Sequence, residues 1–73
     1  MKHYGDENHF SLAATYGNIG NVYEDQGKLE EALHHYNKSL QIKIKHYGDE
    51  NHFSLADTYH NIGNVYKTQG NLE

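Results

Sequence analysis

The chain has 73 residues, a net charge of −4, 36% apolar and 22% charged residues, and neither cysteine nor proline. This is the composition of a soluble globular unit, but at a length where a single core is marginal without help. Disulfides and thiolate metal sites are excluded, no apolar run approaches a membrane span, no signal-peptide pattern precedes the first element, and the six lysines are scattered rather than gathered into the basic stripe that nucleic acid requires.

In chain order, Met1–His9 reads as a connector, with Gly5 and Asn8 suited to a turn. Asn8 or His9 is the expected N-cap, with Asp6 and Glu7 near the positive helix end. The spacing predicts a helix A over Phe10–Gln26: Leu12, Tyr16, Ile19 and Tyr23 recur at three and four, flanked by Ala13 and Gly20. Gly27 is the expected left-handed cap. Gly20 would let a neighbouring helix approach, whereas Gly17 falls on the polar side with no packing role to assign.

Helix B is predicted over Leu29–Lys45, with Leu29, Ala32, Leu33, Tyr36, Leu40 and Ile44 as one stripe. Ile42 lies across the wheel, which implies a neighbour on each flank. His46–Asn51 repeats the first connector, Phe53–Gln69 is a second helix A (A′), and Gly70 repeats its cap. In Ser54-Leu55-Ala56-Asp57 a capping box shifted inward leaves the first helical residue open by a few positions.

The duplication is explicit. Shifted by 43 residues, Lys2–Glu30 matches Lys45–Glu73 at all positions except Ala14/Asp57, Gly17/His60, Glu24/Lys67, Asp25/Thr68 and Lys28/Asn71. The chain therefore divides into repeat 1 (1–44) and a partial repeat 2 (45–73). Its fold class is all-α: antiparallel helix-turn-helix repeats in the order A–B–A′. The expected core is Tyr16, Ile19, Gly20, Tyr23, Ala32, Leu33, Tyr36, Leu40, Leu55, Tyr59, Ile62 and Gly63.

The run Tyr16-Gly17-Asn18-Ile19-Gly20-Asn21-Val22-Tyr23, with Gln26-Gly27, Glu31-Ala32 and Tyr36, resembles the tetratricopeptide repeat, an α-solenoid family. The ordinary unit is 34 residues and closes with proline; the period of 43 and the connector from Lys45 to His52 are similar to the long repeats of the kinesin light chain. The lack of cysteine fits an intracellular, cytoplasmic setting, and the resemblance implies a right-handed superhelix of helix pairs. The A helices would line a concave groove for an extended peptide or a partner helix, and no catalysis is implied.

On a wheel at about 100° per residue, Ala14, Gly17, Asn21, Glu24, Asp25 and Lys28 share one arc, and all five differences between the copies fall there. The resemblance places the groove on this arc. Its candidate residues are Ala14, Gly17, Asn21, Glu24 and Asp25, with Asp57, His60, Asn64, Lys67 and Thr68 in the second copy. The differing positions either tune ligand choice or drift because a solvated face is unconstrained. Asn21 and Asn64 offer both a donor and an acceptor to peptide backbone, or are solvated or bonded to a neighbouring helix. Gly17, Asn18, His60 and Asn61 supply no cation, which disfavours an acidic C-terminal tail.

The seven histidines lack the i, i+4 spacing of a preorganised metal site, and no nucleophile–base pair or phosphate loop is present. No enzyme, cofactor, metal, nucleic acid or membrane is expected. The partner is a protein or peptide, or a second copy of the chain. Helix A′ has no following helix B, so Tyr59, Ile62 and Tyr66 would face water unless copies associate or exchange helices.

Overall fold

A computed structural model describes residues 10–71, Asn71 by its backbone alone. It comprises α1 (Ser11–Asp25), α2 (Leu29–Tyr47), a 3-10 turn at Phe53–Leu55, and α3 (Ala56–Asn71). The described residues contain no strand. The expected connector Met1–His9, with its cap at Asn8 or His9, lies outside them.

The first corner forms as predicted. Gly27 takes φ 79°, a left-handed conformation that costs a glycine little and other residues more. Its N–H donates to Glu24 O at 3.0 Å, and that of Lys28 to Tyr23 O at 2.8 Å, so two terminal carbonyls of α1 are satisfied. The chain then drops Leu29, which is buried, into the core. The second corner differs from expectation. α2 runs two residues beyond Lys45, past the boundary between the copies, and stops at Gly48, φ 71°, whose N–H donates to Ile44 O at 2.7 Å.

Gly70 departs more. It lies inside α3 and does not end it. Glycine permits a left-handed corner but does not impose one; at Gly27 the buried Leu29 holds the turn.

Both pairs of helices are antiparallel. Ser39 on α2 donates to Ala13 O at 2.8 Å near the start of α1, while Tyr36 reaches Asn21 and Glu24 further along it. Toward α3, Lys43 meets Thr58 at 2.7 Å and Glu30 meets Gln69 at 3.3 Å, so the end of α2 lies at the start of α3. Buried Ile42 confirms that α2 is flanked on both sides. The core joins Leu29, Ala32, Tyr36 and Val65, with Tyr23, Leu33 and Ile62 packed at its edge.

The two copies of helix A use different faces. α1 turns Ala13, Gly17 and Gly20 toward α2, with Tyr16 and Tyr23 half-buried beside them. The second copy instead buries Leu55 of the 3-10 turn and Thr58 and Val65 of α3, with Ile62 half-buried. Each copy exposes what the other covers: Val22 is 54% accessible and its copy Val65 is 0%.

This corrects three members of the expected core. Ile19 is 36% exposed and Tyr59 44%, and Gly63 is exposed as well. One helix cannot press both of its apolar faces against the single helix α2. Gly17 also acquires a role. It is half-buried, and a Cβ there would sit 3.8 Å from Ser39 Oγ, so the residue faces α2 rather than the polar side.

Candidate functional site: the cleft between the two copies

With α2 behind them, α1 and α3 flank a cleft of about 170 Å³. From α1 it takes Ala13, Ala14, Gly17, Asn18 and Asn21, and from α3 Asp57, Thr58 and Asn61; the turns of α2 supply Tyr36, Ser39 and Lys43. Small residues on α1 keep it open, and at Gly20 they let α2 come close. A Cβ at Gly20 would stand 2.7 Å from Tyr36 Cδ1 and Cε1, so the close approach requires glycine.

The α2 side is held by hydrogen bonds. The Tyr36 hydroxyl lies 2.6 Å from Asn21 Oδ1 and 2.7 Å from Glu24 Oε1 and donates its one hydrogen between them. Burial of the ring pushes this phenol well above the usual tyrosine range; the hydrogen bond to Glu24 and the negative charges of Glu24 and Asp25 push it further. Ser39 donates to Ala13 O. Lys43 donates one of its three N–H groups to Thr58 Oγ1.

Of the groove residues expected from sequence, Ala14, Gly17, Asn21 and Asp57 line this cleft. Glu24 is half-buried and works as an acceptor for Tyr36 in the α1–α2 contact. Asp25 is exposed at the end of α1. His60, Asn64, Lys67 and Thr68 are exposed along α3 beyond the cleft lining, and Thr68 Oγ1 donates to Asn64 O at 3.0 Å.

The lining adds Asn18 and Asn61, equivalent positions in the two copies, with Ala13 and Thr58, as well as Tyr36, Ser39 and Lys43 of α2. Asn18 stands four residues after Ala14 and three before Asn21, so helical spacing alone could have included it. The α2 residues carry no such signal, because the wheel of one helix does not say which neighbour shares its face.

Among the described residues, no group of three or more histidine, cysteine, aspartate or glutamate side chains could hold a metal ion. No described helix is long and apolar enough to cross a membrane.

Antiparallel helix pairs, repeated in sequence and stacked on a common middle helix, define a helical-repeat scaffold. The family profile of the tetratricopeptide repeat matches residues 4–73, and the chain belongs to that family. No solved structure matches it. The family is a non-catalytic scaffold whose helix faces mediate protein–protein contact.

Proposed function

We propose that the chain is a protein-interaction scaffold whose cleft between α1 and α3 takes an extended segment of another protein. The observation that carries this is the amide lining: Asn18, Asn21 and Asn61 project into one open cleft. At about 170 Å³ it is smaller than the enclosed pockets, roughly 300–1,000 Å³, that hold small molecules. It suits a short stretch of chain laid across it. Because Tyr36 engages the Asn21 oxygen, the group Asn21 offers a ligand is its NH2, which pairs with a peptide carbonyl. His60, Asn64, Lys67 and Thr68 continue the surface along α3 and set ligand preference, as does the Ala14/Asp57 difference within the cleft. The 43-residue period supports a kinesin-light-chain-like subtype, and the lack of cysteine fits an intracellular, cytoplasmic setting.

The test is a peptide selected from a displayed library against the chain. Its affinity is then measured for the wild type and for Asn18→Ala combined with Asn61→Ala. Weakening of about tenfold, roughly one hydrogen bond's worth, is expected; unchanged affinity would remove the cleft from the binding surface.

A second reading is favoured by one observation. Tyr16 and Tyr23 of α1 are half-buried, their rings 6.1 and 5.2 Å from that of His35 on α2. Their copies on α3, Tyr59 and Tyr66, are 44% and 58% exposed. On this reading the tyrosine face of α3 is the contact with a second copy of the chain, and the protein assembles with itself.

A further inference from the structure

The connector between the repeats carries an unbroken run of ring contacts. Phe10 at the start of α1 stacks on His46 with centroids 4.0 Å apart, and His46 meets Tyr47 edge-on at 4.9 Å. Tyr47 stacks on His52 at 3.9 Å and 8°, and His52 on Phe53 at 4.7 Å. The rings thus tie the start of α1, the end of α2 and the 3-10 turn into one joint.

One of these rings also closes the turn. His52 Nδ1 lies 3.1 Å from the backbone nitrogen of Ser54 and accepts its hydrogen, in the manner of an N-cap. A backbone N–H can only donate, so this nitrogen must be bare. The bond therefore exists only in the neutral imidazole with its hydrogen on Nε2.

The other described histidines bear a different relation to a proton. His35 Nδ1 lies 2.9 Å from Glu31 O. A carbonyl can only accept, so that nitrogen already carries hydrogen and a second proton leaves the bond intact. His46 lies against the Phe10 ring, where an imidazolium gains a cation–π attraction. His34 and His60 are exposed. His52 is thus the one whose proton uptake converts a hydrogen-bond acceptor into a second donor facing a backbone N–H.

We propose that His52 makes the joint between the repeats acid-sensitive: its protonation releases the Ser54 N–H and loosens the turn that starts α3. The titratable ring stacked on it is the Tyr47 phenol of α2, which His46 meets on its edge; Asp49 and Glu50 precede it in the connector, and Asp57 and Tyr59 follow it in α3. Asp49 Oδ1 is engaged by the Asn51 N–H at 2.9 Å, and the Tyr59 hydroxyl donates to Glu50 O at 2.9 Å. Stacking on Tyr47 survives protonation, since an imidazolium is attracted to that ring. The ring stays in place while its cap fails. The sign follows. The bond holds while Nδ1 is bare and is lost when acid puts a proton there. Leu55 and Thr58 follow directly, and Thr58 carries the Lys43 bond at the cleft, so the loosening reaches the cleft wall. The proposal rests on the connector alone and holds whether or not the cleft takes a peptide.

The experiment is NMR on the isolated chain from pH 8 to pH 5, following the His52 ring nitrogens and the exchange of the Ser54 amide relative to its free-chain rate. Wild type is expected to show bare Nδ1 at pH 8 and a loss of Ser54 protection of about fivefold, the size of a helix cap, in step with His52 protonation. In His52→Asn the carbonyl oxygen caps without titrating, so protection should persist in acid. In His52→Phe the stack is kept without an acceptor, so protection should be low at both ends of the range. Acid loss of protection in His52→Asn equal to that of wild type would overturn the proposal. So would protection that stays constant in wild type while His52 titrates.

Discussion

The ring of Tyr36 occupies the space that a side chain at position 20 would need. The Cβ that Gly20 lacks would lie 2.7 Å from two ring carbons, closer than unbonded carbons come. At the copied position, Gly63, a Cβ would meet nothing within 4 Å. Two glycines in the same sequence context therefore stand in opposite steric situations.

Gly20→Ala should destabilise the fold by about 1–3 kcal/mol through overpacking, reduced by up to about 1 kcal/mol of improved helix propensity. Gly63→Ala should stabilise it by up to about 1 kcal/mol. Urea denaturation at low protein concentration reads both. Destabilisation by Gly63→Ala would show that something in solution covers that face of α3.

Val65→Ala should cost about 2 kcal/mol for two buried methyl groups and the cavity they leave. The copied change Val22→Ala should stay within about 0.5 kcal/mol. Equal losses would mean that both helices bury the same face.

The Tyr36 phenol predicts a loss of stability in alkali. Its ionisation lies above the ordinary tyrosine value of about 10, so between those two points the unfolded chain releases a proton that the folded chain retains. The contribution is complete below about pH 10 and falls as pH rises, by at most about 1.4 kcal/mol per pH unit. Tyr36→Phe should lose about 1 kcal/mol at neutral pH with the hydroxyl's hydrogen bond, and should show a shallower decline above pH 10. Parallel stability–pH curves for the two proteins would refute the assignment.

Light scattering over a dilution series addresses self-assembly. If the tyrosine face of α3 is the contact, the chain should be a dimer or larger near millimolar concentration. Tyr59→Lys with Tyr66→Lys should return it to monomer without loss of helix content. A wild type that remains a folded monomer throughout would defeat the second reading.

Much of the fold is legible in the sequence because it depends on local patterns. The apolar periods, the corner at Gly27 and the duplication locate three helices, their order and the two-sided burial of α2. The choice of face is not legible. Leu12, Tyr16, Ile19 and Tyr23 recur as Leu55, Tyr59, Ile62 and Tyr66, so the apolar stripe does not tell α1 to bury its glycine side and the second copy its Leu55–Val65 side; only Gly17/His60 distinguishes the two on the glycine side. That choice comes from which flank of α2 each helix meets. For the same reason Asn21 and Asp57 were readable as cleft residues, while Lys43 and Ser39 needed the helix behind them to be placed. Gly70 shows a second limit: a glycine permits a corner without imposing one, and here it lies within α3.

The first copy of helix A carries both packing faces, since Leu12, Thr15, Ile19 and Val22 repeat as Leu55, Thr58, Ile62 and Val65, whereas the second has His60 where Gly17 faces α2, so the 43-residue unit is interchangeable only where that position is glycine. Unequal exchange within a coding sequence of this kind would add or remove whole units. A retained helix with glycine at that position would meet a surface it fits in either place. The length of such an array could then change in single genetic steps without the invention of a new contact, and the register of the units would be preserved as the array grew or shrank.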